Sequence, residues 1–340
     1  MKRKADTSFY RKFLTIYVAL VLQNVVTLSV NLADNMMLGS YSETALSGVA
    51  AVNQIQFIYQ QLLMALGDGL VIFCSQYWGK RQTEPMKKIS ATAMHAGLLI
   101  AILLFALVSI FPRQAVGIFT TEESIIREGV SYLSIIRFTY LFFAVTQILL
   151  ATLRSVEVVK IAFYLSVMTF FVNCGINYVL IYGHFGAPEM GAAGAAIGTL
   201  AARMTELVVL IIYIIKKEKQ LHLSIRSYLQ HDRVLSGDYF RVTAPMLVVQ
   251  GLWGVNTALQ TVILGHMTAA AIAANSVAST IFMMVKSMAV GAASTASIII
   301  GNTIGTGDIA LVKKYSGRLQ RIFVVIGLVS GLLLFLIRVP

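Results

Sequence analysis

The chain has 340 residues, 57% of them hydrophobic and only 12% charged, about half the roughly 25% charge of an ordinary soluble protein. Its 27 Lys and Arg against 15 Asp and Glu give a formal charge of +12, yet the cations are spread over alternate loops, which argues against a nucleic-acid partner. The lipid bilayer is the expected solvent. Cys74 and Cys174 both fall inside apolar stretches, which argues against a disulfide framework or a metal site.

Apolar runs long enough to span a membrane, at about 20 residues each, lie near residues 14–38, 46–77, 89–111, 129–153, 158–182, 192–215, 242–264, 270–303 and 319–338. Nine helices are therefore expected in an all-α membrane protein. The first carries a polar stripe at Asn24, Thr27, Asn31, Asp34 and Asn35; spacings of three and four place these on one face, which must line a cavity or another helix to avoid hydrocarbon. Its length and that stripe are unlike a cleaved signal peptide. The second holds Asp68 between Gly67 and Gly69, where the glycines allow either close packing or a local break. The sixth carries Gly191, Gly194 and Gly198, read as small-residue helix packing, and then Arg203 and Glu206, read as an internal ion pair. Lys286 stands alone in the eighth, where it can snorkel, pair with an acid or face a cavity.

Every second loop is basic: Lys2 to Lys12 before the first helix, Lys80 to Lys88 after the second, Arg154 and Lys160 after the fourth, Lys216 to Arg233 after the sixth, and Lys313 to Arg321 after the eighth. The positive-inside rule then places the N-terminus in the cytoplasm of a multi-pass cell-membrane protein. Residues 216–241 form the longest connection and are read as a cytoplasmic linker, with Leu221 to Leu229 either an amphipathic surface segment or a solvated loop.

At an offset of 226, Leu38 and Gly39 meet Leu264 and Gly265, Ala45 meets Ala271, Gly79 meets Gly305, and Lys87 and Lys88 meet Lys313 and Lys314. Gln250, Thr257, Gln260 and Thr261 repeat much of the first stripe, with Gln260 at the position of Asp34. Six helices separate corresponding points, so both halves enter the membrane in the same direction. This is the parallel repeat of a transporter architecture, with an N-terminal six-helix lobe at 1–215 and a partial lobe at 242–340. A completed second lobe needs about three more helices; the end at Arg338, Val339 and Pro340 is accordingly read as an early one, with a separate C-terminal segment as the missing partner.

The stretches Asn31 to Gly39 (NLADNMMLG), Ser75 to Lys80 (SQYWGK), Asn173 to Gly183 (NCGINYVLIYG), Gly191 to Glu206 (GAAGAAIGTLAARMTE) and Ile300 to Asp308 (IGNTIGTGD) resemble the MATE family of multidrug and toxic-compound extrusion transporters. The resemblance implies two six-helix lobes that exchange H⁺ or Na⁺ for a small amphipathic, often cationic substrate, without another cofactor; a monomer is expected. It also implies that Asp34 is the acidic residue of cation coupling, that Asn173 and Asn177 form an Asn-x-x-x-Asp/Asn pair on the fifth helix, and that Thr199 supplies a hydroxyl near the same cavity. Where some members carry a second acid, this sequence has Asn177.

An ionisable group in mid-membrane costs roughly 2.5–3.5 kcal/mol on insertion scales, so Asp34 is functional by default. A carboxylate so placed can alternate between holding a proton and holding a cation. Asn173 and Asn177, on one face, can donate to Asp34, offer oxygens to Na⁺ or join helices. Asn31, Asp68 and Gln260 are secondary candidates. Two alternatives stay open, a lipid-linked oligosaccharide flippase of the same superfamily and an inactive fragment. No constellation for an enzyme emerges, since the five histidines are scattered and no nucleophile with its base or metal-binding carboxylate cluster is present.

Overall fold

The computed structural model describes residues 2–230, 232–264 and 269–337. Gly265, His231, His266 and Arg338 to Pro340 lie outside the described residues, as do the side chains of Thr261, Leu264 and Ala271. The described residues form eleven α-helices: α1 (Lys2–Tyr41), α2 (Glu43–Gly79), α3 (Thr83–Ile110), α4 (Pro112–Gly117), α5 (Glu123–Ile136), α6 (Thr139–Ser155), α7 (Lys160–Tyr182), α8 (Gly191–Lys217), α9 (Arg233–Leu264), α10 (Ala269–Gly305) and α11 (Ile309–Ile337). Eight are each long and apolar enough to cross a membrane, and the pair α5–α6, bent by 52°, supplies a ninth span. Such a chain is an integral membrane protein, its helices satisfying their backbone groups internally where there is no water.

Local chemistry sets the boundaries. Ser42 caps α2 by accepting from the Ala45 N–H at 3.3 Å, with Glu43 favourably placed in the first turn. Gly183 ends α7 in the left-handed region, φ 71°, where glycine carries no steric penalty. The fourth span differs from the single helix expected over 129–153. The Thr139 hydroxyl takes the Ile136 carbonyl at 2.6 Å, and the Tyr140 N–H bonds to Arg137 instead. A side chain thus competes with the helical ladder and bends it. Arg137, whose guanidinium lies 5.2 Å from the Phe138 ring and 5.7 Å from that of Phe105, sits at this break.

The repeat is visible in how the helices meet. α9 packs along α2 while α10 packs along α1, and α2 and α10 cross each other. At the crossing, a side chain on Gly79 would strike the Asn302 carbonyl, and one on Gly305 would strike the Gln76 carbonyl. Gly79 with Gly305, and Gln76 with Asn302, are the pairs related by the offset of 226. Each half makes the same contact with the other, as two-fold relationships require, and the axis passes through the two glycines.

The basic-loop end is drawn together around this crossing. Lys12 of α1 pairs with Glu157 of the α6–α7 turn at 2.6 Å, and the Asn302 amide of α10 donates to the same carboxylate. Phe9 packs on Tyr315 with ring centroids 4.6 Å apart, and Arg318 lies over the Phe9 ring. Of the segment read as linker, its last nine residues, 233–241, already belong to α9. In the rest, Leu221 and Ser227 are buried while His222, Arg226 and Leu229 are exposed, and a 3-10 turn at Ile225–Leu229 packs on α3. Asp232 pairs with Lys88 at 3.1 Å and Ser236 bonds to Thr92 at 2.8 Å.

Candidate functional site

The stripe on α1 spans an arc of about 100°, with Asp34 at one edge. That edge faces α7. Asp34 accepts from the Asn177 amide at 2.7 Å; the same amide nitrogen donates to Asn173 Oδ1 at 3.3 Å, and Asn173 donates to Thr199 of α8 at 3.2 Å. Asn173 and Asn177 are both buried. Four predicted residues from three helices therefore form one connected network. Asn31, by contrast, is exposed, as are Thr27 and Asn35, so only part of the stripe turns into the interior of the first half.

Glycines place the network. A Cβ on Gly194 would lie 2.7 Å from the Leu180 backbone, and one on Gly198 would collide with Asn177 Oδ1. Small residues here let α7 and α8 approach closely. The close approach also fixes the Asn177 amide, its oxygen against Gly198 and its nitrogen toward Asp34. One turn beyond Thr199, Arg203 pairs with buried Glu206 at 2.8 Å and lies 4.9 Å from the Phe143 ring. Its charge reaches Asp34. The predicted internal ion pair is thus present, and its Arg203 also acts on Asp34.

Sequence reasoning did not single out Tyr132 of α5, which is buried against Thr199; a tyrosine among apolar neighbours gives no sequence signal. Asp68 lies apart from the network. α2 continues unbroken through Gly67 and Gly69, so the glycines serve packing: they face Ala151 and Thr243 respectively. Gln260 is exposed on α9 and does not join the network. Lys286 of α10 lies 3.8 Å from the centre of the Trp253 ring on α9, a cation–π contact. An apolar groove of about 610 Å³ runs between α2, α3, α4 and α9, lined by residues such as Ile58, Leu62, Leu104, Phe111 and Leu259. No charged side chain lines it.

A parallel helical repeat with a polar network buried in one half is the architecture of a membrane transporter. Residues 19–179 match the MatE family model. The chain is 25% identical over 320 residues to the probable multidrug resistance protein YoeA of Bacillus subtilis, covering 92% of this chain and 68% of that protein. It is 26% identical over 227 residues to the probable multidrug resistance protein NorM of Streptococcus pneumoniae strain R6, covering 66% of this chain and 50% of that one. Its fold is similar to the eukaryotic MATE transporter AtDTX14, with a TM-score of 0.83 at 18% identity over 98% of this chain and 73% of that one. A MATE in the bent conformation gives a TM-score of 0.82 at 16% identity, covering 94% and 71%. Over residues 19–179 the chain is thus similar to the MatE family, and its fold is that of the solved MATE transporters.

Proposed function

We propose that this protein exports small amphipathic, cationic compounds across the cell membrane in exchange for protons, with Asp34 as the coupling carboxylate and the N-terminus on the cytoplasmic side. The observation that carries the reading is the Asp34–Asn177 hydrogen bond of 2.7 Å inside a chain of four polar residues on α1, α7 and α8. Relatives named for multidrug resistance support the export of such compounds. A buried carboxylate held by one amide donor has two states. Ionised, it accepts from Asn177 and is balanced by the field of Arg203; protonated, it loses most of that attraction and relaxes its hold on α7.

The amide orientation favours H⁺ over Na⁺. Asn177 turns nitrogen toward Asp34 and oxygen toward Gly198, while Asn173 Oδ1 already accepts from Asn177. No amide oxygen converges with the carboxylate to build the oxygen shell that a hard cation requires. The flippase reading loses its ligands, because Arg203 is committed to Glu206 and Lys286 lies on Trp253, leaving neither free for a pyrophosphate.

The test is ethidium efflux from proteoliposomes under an imposed pH gradient. Asp34→Asn is expected to abolish proton-driven efflux while the protein still inserts and remains monodisperse. Normal efflux by that variant sinks the role of Asp34, and efflux driven by a Na⁺ gradient alone sinks the choice of ion.

A further inference from the structure

We propose that Asp68 is a second proton-binding group, built at the seam between α2 and α9 and separate from the Asp34 network. Asp68 stands 11 residues before the end of α2 at Gly79, about 16 Å along the helix and well inside the apolar span. Leu66 and Leu70 are fully buried, and Asp68 between them is partly so. Its carboxylate makes no hydrogen bond and no ion pair among the described residues.

Groups on the neighbouring helices α6 and α9 stand close by. From α6, the Arg154 charge acts on Asp68; its guanidinium lies beside Gly67, 3.7 Å from where a Cβ would stand, and its Nε is buried without a partner. From α9, Thr243 is completely buried, its hydroxyl has no partner, and it fills the room left by Gly69, since a Cβ there would collide with it. Tyr239, one turn earlier, feels the charge of Asp68 and donates to the Leu66 carbonyl at 2.8 Å. No charged group on α3, α5 or α10 acts on the carboxylate among the described residues.

An ionised carboxylate needs direct donors or water when hydrocarbon surrounds it. With the seam closed, Asp68 has neither a contacting cation nor a hydrogen-bond donor among the described residues, and the neutral acid is the form that fits. When the seam opens and water enters, the carboxylate is hydrated opposite Arg154 and the proton returns to solvent. The step is a reversible transfer between water and one carboxylate oxygen, so it needs no other reactant. Movement of α9 against α2 thereby carries a proton of its own.

The consequence for transport rests on the export reading above; the protonation itself does not. Infrared difference spectra of the full chain in lipid vesicles, titrated with pH, read it directly. A protonated-carboxyl stretch is expected that survives in Asp34→Asn, shifts in Thr243→Val and Asp68→Glu, and is missing from Asp68→Asn. Spectra of Asp68→Asn that superpose on those of the unchanged protein overturn the proposal; should that variant not fold, an unshifted band in Asp68→Glu does the same. In proteoliposomes, protons moved per ethidium are expected to fall by half in Asp68→Asn, and an unchanged ratio also overturns it. If the unchanged protein exchanges no protons for ethidium but keeps the band, the export reading fails and the Asp68 assignment stands.

Discussion

The two copies of the repeat, α1–α2 and α9–α10, share a backbone plan and differ in chemistry. They meet through equivalent contacts, Gly79 against Asn302 and Gly305 against Gln76, but both carboxylates lie in the first copy: Asp34 corresponds to Gln260, and Asp68 to Ser294. Asp34 turns into its own half and meets a fixed amide, whereas Gln260 remains exposed. Symmetry serves the joint between the two halves, and asymmetry places Asp34 and Asp68 to one side of it. A titration in one half can then bias a motion shared by both.

The largest expected effect comes from breaking the symmetric joint. Leucine at Gly79 or Gly305 has to occupy space held by a backbone carbonyl, which no side-chain rotation can vacate. Both variants should lose ethidium efflux and show a lower unfolding temperature, by similar amounts because each sits at the axis. A large defect in one and none in the other would show that the joint is not shared equally. Next comes Gly198→Ala, which adds one methyl group where Asn177 Oδ1 lies. Overpacking of this kind costs roughly 1–3 kcal/mol, and here it also displaces the donor to Asp34. Proton-driven efflux should fall as it does in Asp34→Asn, while Gln260→Ala leaves it near normal. Retained coupling in Gly198→Ala would separate Asp34 from its amide.

What could be read in advance follows the range over which each feature is encoded. The spans, the repeat and the packing glycines are local patterns of period and spacing, and Gly79 with Gly305 stood out through the offset alone. Asp34 with Asn177 was legible because an ionisable residue in a span requires a partner and the resemblance supplied one. The bend at Arg137 was not, since it depends on Thr139 choosing the Ile136 carbonyl over solvent. Glu157 was missed because its partners, Lys12 and Asn302, lie 145 residues away on either side and meet only when the helices assemble. Thr243 gave no signal either, being one hydroxyl in an apolar helix.

Glu157 supplies a smaller test of the joint. Its pair with Lys12 is partly exposed, at 41% and 29% for the two side chains, and such pairs contribute about 0–1 kcal/mol. The Asn302 amide adds a charge-assisted hydrogen bond that exists only when α10 lies against the α6–α7 turn. Glu157→Gln should therefore loosen the basic-loop end more than Lys12→Ala. Distances between spin labels on the α6–α7 turn and α11 would measure it, and equal broadening in the two variants would show that Asn302 contributes nothing.

The smallest effect concerns the connection between the copies. Asp232 begins α9 by accepting from the N–H groups of Val234 and Leu235, both at 3.2 Å, and pairs with Lys88 at 3.1 Å. The backbone bond from Leu235 foremost, then Lys88, holds its carboxyl below the ordinary carboxylate range. Because the folded form binds its proton less readily than the unfolded chain, the contribution is present above the ordinary value of about 4. It is lost as pH falls through the lower, folded value. Hydrogen-exchange protection over residues 218–236, measured relative to the intrinsic exchange rate at each pH, should be high at neutral pH and fall only on acidification below that range, and Asp232→Asn should remove the acid step while leaving neutral protection slightly reduced. If the acid step persists in Asp232→Asn, another carboxylate sets it; if the unchanged protein shows no acid step at all, the start of α9 is held to α3 by Ser236 and Thr92, and the connection is fixed by neutral contacts instead of charge.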